Sequence, residues 1–95
     1  MSKREHILQT AVSIARASGL TALTRDLLAR TANVPNGSIN HYFETMDHLR
    51  ALVIRHAIDN RILRIVGEAV AARHPLARRA SVALRIEALA SLAGK

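Results

Sequence analysis

The chain has 95 residues, of which 49% are apolar and only two, Tyr42 and Phe43, are aromatic, so its core must be aliphatic. A core formed by a chain of this length is too small for a large enzyme scaffold with a deep pocket. Seventeen Ala and twelve Leu against four Gly and two Pro predict an all-α protein. Fourteen Lys and Arg against seven Asp and Glu give a net charge of +7, which favours polyanionic partners, and the absence of cysteine excludes a disulfide framework.

The first predicted helix begins at a capping box formed by Ser2 and Glu5. Apolar residues recur at helical spacing from Ile7 to Ala15, which predicts one buried face. Gly19 supplies the residue that ends the helix.

Two short helices follow, joined by a tight turn. Thr24 caps the first of them, over about residues 25–32, and Asn33 tolerates the left-handed conformation that ends it. Pro35 pre-sets the backbone to start a third helix over about residues 36–43. Two short helices joined by a turn of this length make a helix-turn-helix.

The second half of the chain predicts a single long helix over about residues 47–73, ended by Pro75, and a buried bundle helix over residues 76–93. The apolar residues of the long helix fall on two nearly opposite sides. Because a helix that is wet on one side needs only one apolar stripe, the second stripe predicts contact with a partner subunit. The residues expected at this interface between two copies are Ile54, Ile58, Ile62, Ile65, Val82, Ile86 and Leu89.

Nothing in the sequence predicts an enzyme, a metal site or a cofactor. The five His residues are scattered, and no zinc-protease motif, phosphate-binding loop or catalytic-triad order is present. His48 and His56 lie eight residues apart, which suits a surface better than a metal site. No apolar stretch reaches the roughly 18 residues that cross a bilayer, and the N-terminus lacks a signal-peptide core, so we expect a cytoplasmic protein without membrane contact.

The segment over residues 24–49, TRDLLARTANVPNGSINHYFETMDHL, is the most specific feature of the sequence. It resembles the TetR family of bacterial transcriptional regulators, and the resemblance extends over about residues 4–56. The resemblance implies a three-helix DNA-binding domain over residues 1–46, followed by a helical dimerisation region over residues 47–95. The positions that match the family pattern are Leu28, Ala29, Ala32, Val34, Pro35, Gly37, Ile39, Tyr42, Phe43 and Leu49.

The resemblance also implies which residues meet DNA. The family docks the helix around Gly37 in the major groove, where short or planar donors and acceptors reach base edges. Structural roles stay open for some of these positions, since a helix start, a helix cap or the core would also use such residues. Base contacts are expected from Asn36, Ser38, Asn40 and His41. Contacts with the DNA backbone are expected from Lys3, Arg4, Thr24, Arg25, Gly37 and Tyr42.

Most of the excess positive charge lies outside the helix-turn-helix. Residues 1–46 carry five cations and three acids, a net +2, whereas residues 47–95 carry nine cations and four acids, a net +5. This charge raises nonspecific affinity for DNA, stabilises helix ends or marks a second surface for an acidic partner. The sequence does not distinguish these three roles.

The predicted function is that of a small homodimeric DNA-binding transcriptional regulator, a repressor whose partners are double-stranded DNA and a second copy of the chain. In full-length members of the family, further helices after this region form a ligand pocket. Because few residues follow the helix-turn-helix in this sequence, we expect no large effector cavity and no small-molecule effector. The alternative is a protein that inhibits a longer relative by forming mixed dimers through residues 47–93. A membrane-surface role is disfavoured, because two opposed apolar stripes suit a helical bundle better than an interface plane.

Overall fold

The computed structural model describes residues 2–94 and confirms the all-α prediction. Those residues form six α-helices and two short 3₁₀ turns. The helices are α1 (Lys3–Ser18), α2 (Arg25–Ala32), α3 (Asn36–Phe43), α4 (Met46–Asp59), α5 (Leu63–Ala71) and α6 (Val82–Ala93), and the 3₁₀ turns are Leu20–Ala22 and Pro75–Arg79. Within the described residues, none of these helices has both the length and the apolar character that crossing a membrane requires.

Helices α1 and α2 begin and end where the local signals in the sequence place them. The hydroxyl of Ser2 accepts the N–H of Glu5 at 3.1 Å at the start of α1, and Gly19 ends that helix with a φ of 100°. At α2 the hydroxyl of Thr24 accepts the N–H of Leu27 at 3.3 Å. Asn33 then ends α2 in the left-handed conformation, with a φ of 58°.

The predicted single helix over residues 47–73 is wrong, because the chain leaves the helical path after Asp59 and resumes it at Leu63. Arg61 adopts a left-handed φ of 54°. The N–H of Ile62 donates to the carbonyl of Ala57 at 2.9 Å, which is the closing bond of a Schellman motif. Glycine is the residue that normally signals such a helix end. Because this position is an arginine, the sequence does not predict the end of α4.

The predicted last helix over residues 76–93 is too long. The chain first makes the 3₁₀ turn Pro75–Arg79, and α6 begins only at Val82. The hydroxyl of Ser81 caps α6 by accepting the N–H of Leu84 at 3.0 Å. This serine cap was the available sequence signal for the later start.

The core is a single cluster of buried apolar side chains that extends from α1 to α6. Phe43, the only large ring in it, is completely buried. Helices α5 and α6 approach each other closely at Gly67, where an added Cβ atom would lie 2.7 Å from the carbonyl oxygen of Ala88. The predicted boundary between residues 46 and 47 falls in the first turn of α4, and a division of labour at that point stays a prediction.

Helix α5 holds the C-terminal end of α1. Nη1 of Arg64 donates to the carbonyl oxygens of Ala17 at 2.7 Å and Arg16 at 3.3 Å. Oε1 of Glu68 accepts the N–H of Leu20 at 2.9 Å. These groups would otherwise be among the unpaired backbone groups at the end of a helix. The Arg64–Glu68 clamp therefore joins the first and second halves of the chain.

The predicted interface residues fall into three groups in the structure. Ile54 and Ile65 are 1% and 0% exposed, so they belong to the chain's own core and have no surface to offer a second copy. Ile58 and Ile62 are half-buried against that core. The exposed apolar residues are on α6: Val82 at 62%, Ile86 at 63% and Leu89 at 40%.

Candidate nucleic-acid interface

The turn between α2 and α3 is fixed by backbone hydrogen bonds and a proline. With Asn33 left-handed, the N–H of Val34 donates to the carbonyl of Ala29 at 3.0 Å, which completes a Schellman motif. Pro35 follows with a φ of −64° and leads directly into α3. These constraints set the crossing of α3 over α2 without any flexible linker.

Helix α3 has one buried side and one polar side. Ile39 and Phe43, four residues apart, are buried in the core. The predicted base-contact residues Asn36, Asn40 and His41 are exposed, and Ser38 is half-buried at the edge. The structure thus brings these four side chains together along one short helix.

Gly37 has no structural task inside the chain. A Cβ atom built on it would meet nothing within 4 Å, and its φ lies outside the left-handed region that favours glycine. Because the residue is exposed on the polar side of α3, its missing side chain leaves a bare patch of backbone on the outer surface. Such a patch permits close approach by another molecule.

Asn36 is held in place by a residue that sequence reasoning missed. Its side-chain amide donates to Oδ1 of Asp26 on α2 at 3.0 Å. Asp26 lies ten residues away, beyond the reach of any helical or turn pattern, so only the folded chain reveals the pair. The hydrogen bond aligns the first side chain of α3.

The N-terminus of α2 presents two of the predicted DNA-backbone residues. The hydroxyl oxygen of Thr24 accepts from the helix, and its own O–H stays able to donate outward. Arg25, the first residue of α2, is exposed. A helix N-terminus with free N–H groups and a cation beside it suits a phosphate.

The start of α1 lies near the end of α3. The guanidinium carbon of Arg4 lies 5.0 Å from the ring centroid of Phe43, within the range of a cation–π contact. Nε2 of His6 lies 3.0 Å from the carbonyl oxygen of Ala32, the last residue of α2. Lys3 is exposed in the same first turn of α1.

Tyr42 is half-buried, and its ring meets His41 edge-to-face with ring centroids 4.8 Å apart. The contact holds the two aromatic side chains against each other at the end of α3.

Within residues 2–94, Lys3, Arg4 and Arg25 of this surface form no ion pair with a carboxylate. The ion pairs found in residues 2–94 are Arg50–Asp47, Arg61–Glu87 and Arg64–Glu68. Lys3, Arg4 and Arg25 take part in none of them. Across the described part of the chain, no three His, Asp or Glu side chains are grouped so that they could hold a metal ion.

The chain is similar to known bacterial regulatory proteins. Residues 7–53 match the family described as bacterial regulatory proteins, tetR family. The chain is 31% identical over 87 residues to the HTH-type transcriptional regulator BetI of Proteus mirabilis (strain HI4320), a match that covers 92% of this chain and 41% of that protein. The chain therefore spans about two fifths of the length of this curated relative. No solved structure matches it significantly.

Proposed function

Because the chain belongs to the TetR family of bacterial regulatory proteins, we propose that it is a homodimeric, sequence-specific DNA-binding transcriptional regulator that acts in the cytoplasm as a repressor. The observation that carries the proposal is the exposed polar side of α3, with the bare backbone of Gly37 in its first turn. The major groove of B-DNA is about 12 Å wide and admits one such helix. An operator occupied in this way excludes other proteins, which is the simplest route to repression.

Base recognition is proposed for the exposed side of α3. The amide of Asn40 projects from the middle of that helix, and an asparagine amide can make a bidentate pair with adenine. Asn36, Ser38 and His41 supply further donors and acceptors on either side of it. Short side chains of this kind read base edges only when the helix backbone lies deep in the groove, which Gly37 permits.

Contacts with the DNA backbone are proposed on both sides of α3. Thr24 and Arg25 lie at the N-terminus of α2, where free N–H groups also favour a phosphate. Lys3 and Arg4 lie at the start of α1, and Arg4 is positioned over Phe43 at the end of α3. Tyr42 keeps its ring partly packed and reaches a phosphate with its hydroxyl.

Dimerisation is proposed through the α6 stripe, which we define as Val82, Ile86 and Leu89. These residues are spaced by four and three positions, so they lie on one side of the helix, while Leu84 and Ala88 bury the other side. A two-fold axis would place the same stripe of a second copy against it. The dimer would then read a near-palindrome with half-sites about one helical turn, roughly 34 Å, apart.

Regulation without a large effector pocket is also proposed. Helices α5 and α6 approach so closely at Gly67 that no space for a bulky ligand remains between them at that point. Control by the abundance of the protein or by partner proteins is consistent with this packing.

Selection of bound duplexes from a random pool tests the main proposal. The purified chain should enrich a two-fold symmetric sequence and bind it with nanomolar affinity that falls steeply as salt is raised. Enrichment without symmetry would contradict the dimer, and absence of enrichment would contradict sequence-specific binding.

The second candidate function is inhibition of a longer relative through mixed dimers. The exposed α6 stripe favours it equally, because a relative with the same stripe would be an acceptable partner. The two functions differ in the behaviour of the pure protein: a mixed-dimer inhibitor would not bind DNA by itself, whereas the proposed repressor would.

A further inference from the structure

The turn from α3 to α4 holds Glu44 in a strained backbone conformation. Its φ is 67° and its ψ is −60°, the geometry of the γ-turn with positive φ, which is rare and strained. The N–H of Thr45 donates to the carbonyl of Phe43 at 2.7 Å, which closes this three-residue turn. Because glycine adopts positive φ without a steric cost, a glutamate at this position makes the fold less stable than a glycine would.

The charge of Glu44 is also unfavourably placed for the fold. The residue directly follows α3, and the C-terminal end of a helix disfavours a negative charge. The side chain is exposed, and among residues 2–94 it takes part in no ion pair and no side-chain hydrogen bond. Neither cost is therefore offset by a contact within the described part of the chain. Strained residues of this kind cluster at functional sites.

Glu44 extends the row of exposed positions on α3. Its N–H donates to the carbonyl of Asn40 at 2.9 Å, so its backbone nitrogen still follows the helix. Glu44 comes four residues after Asn40 and seven after Gly37, a spacing that places the three positions on one side of a helix. At about 1.5 Å per residue, Glu44 lies roughly 6 Å beyond Asn40 along the helix axis, a distance of about two base-pair steps.

The chemistry of a carboxylate restricts what it can meet on DNA. An ionised carboxylate only accepts hydrogen bonds, and phosphates repel it. In the major groove, guanine and thymine present acceptors, adenine presents a donor beside an acceptor, and cytosine presents the N4 amino group, a donor. Cytosine is therefore the base whose own edge offers a carboxylate a donor without an opposing acceptor.

On the basis of the DNA-binding function proposed above, we propose that Glu44 is a specificity-determining residue whose carboxylate accepts a hydrogen bond from N4 of a cytosine in each half-site. The cytosine would lie about two base pairs from the base that Asn40 meets. The bond supplies the partner that the chain itself does not give this carboxylate. The same charge is repelled by acceptor edges and phosphates, so it also selects against other sequences.

Selection of bound duplexes by the wild type and by Glu44→Gln tests the proposal. The wild type should enrich a cytosine at one position of each half-site, and replacing it by another base should weaken binding about tenfold. Because a glutamine amide can pair bidentately with adenine, Glu44→Gln should shift the preference at that position from cytosine to adenine. Asp59→Asn removes the same charge at an exposed position at the end of α4, and it should leave the preference unchanged.

Glu44→Gly keeps the test decisive if Glu44→Gln folds poorly. Glycine accepts the positive φ, and the negative charge at the end of α3 is removed, so the melting temperature should rise. The preference for cytosine at that position should be lost in the same variant. A purely structural role of Glu44 would give the reverse result, a lower melting temperature with the base preference intact, and would overturn the proposal.

The results also separate this proposal from the proposed function. A wild type that enriches an operator whose base preferences are the same in Glu44→Gln and Glu44→Gly would overturn the role of Glu44 alone. A uniform gain in affinity of both variants on every duplex would also overturn it and would reduce Glu44 to a repulsive charge. A wild type that enriches no sequence would overturn the proposed function, and the role of Glu44 with it.

Discussion

The amide of Asn36 donates a hydrogen bond over 3.0 Å to Oδ1 of Asp26, which joins the first residue of α3 to α2. The bond places a carboxylate beside the surface proposed to meet DNA. Asp26 therefore has two opposite effects on binding: its hydrogen bond orients a base-reading amide, and its charge repels phosphates.

Substitution of Asp26 separates these two effects. Asp26→Asn keeps an acceptor for Asn36 and removes the charge, so affinity should rise on cognate and scrambled duplexes alike, with little change in their ratio. Asp26→Ala removes both the acceptor for Asn36 and the negative charge, so the ratio of cognate to scrambled affinity should fall. Fluorescence anisotropy on both duplexes measures this. An unchanged ratio in Asp26→Ala would show that the hydrogen bond does not orient a base-reading group.

Gly37→Ala should uncouple stability from DNA binding. A Cβ atom at this position meets nothing inside the chain, and alanine is the better helix former, so the free energy of unfolding should stay equal or rise by up to about 1 kcal/mol. On the outer surface the same methyl group keeps the backbone away from DNA, and binding should weaken about tenfold or more, a cost near 1.4 kcal/mol. Urea denaturation and a DNA titration give the two values.

Gly67→Ala is the matched opposite of that variant. Here the new methyl group would lie 2.7 Å from the carbonyl oxygen of Ala88, so α5 and α6 must move apart. Overpacking of this kind costs about 1 to 3 kcal/mol of stability.

Normal DNA binding by Gly37→Ala would remove the argument that the bare backbone of α3 faces DNA.

Asn40→Ala and Arg25→Ala should weaken binding in different ways. Loss of the Asn40 amide should cost about 1 to 3 kcal/mol on the cognate site and much less on scrambled DNA, because base contacts carry the sequence preference. Loss of Arg25 should weaken all sequences alike and lower the salt slope by about 1. Titrations at several salt concentrations distinguish the two patterns. Equal loss on both duplexes for Asn40→Ala would reject its assignment as a base contact.

Ile86→Glu should separate the two copies of the proposed dimer. The side chain is 63% exposed in the single chain, so the substitution leaves the fold intact, while a charge in the centre of the α6 stripe opposes its burial. Analytical ultracentrifugation should find a monomer, and affinity for the full palindrome should fall to that for a half-site. Gln9→Glu adds the same charge at an exposed position of α1 and should change neither property. A wild-type chain that is already monomeric at micromolar concentration would contradict the dimer.

The sequence predicts the ends of α1 and α2 well because each uses a residue with a known local preference, whereas α3 ends at Glu44 with a φ of 67°. Ser2 and Thr24 cap, and Gly19 and Asn33 adopt positive φ. In the second half, Arg61 and Arg73 adopt φ values of 54° and 58° although arginine has no preference for them, so the tertiary packing and not the residue type ends the helix.

The candidate site shows the same distinction. Helical periodicity suffices to predict that Asn36 and Asn40 face outward and that Ile39 is buried. The hydrogen bond of Asn36 to Asp26 and the burial of Ile54 depend on contacts between distant parts of the chain, which no local pattern encodes.

The Arg64–Glu68 clamp bears on the spacing of the two half-sites that a dimer would bind. Since α5 is hydrogen-bonded to the end of α1 and packs against α6, these contacts connect the helices that would touch DNA with the helix that would touch a second copy. In a dimer joined through α6, the fold of each chain would then set the distance between the two α3 helices. Adding one base pair between the half-sites rotates one of them by roughly 34 to 36° relative to the other. The two α3 helices would then no longer match both half-sites.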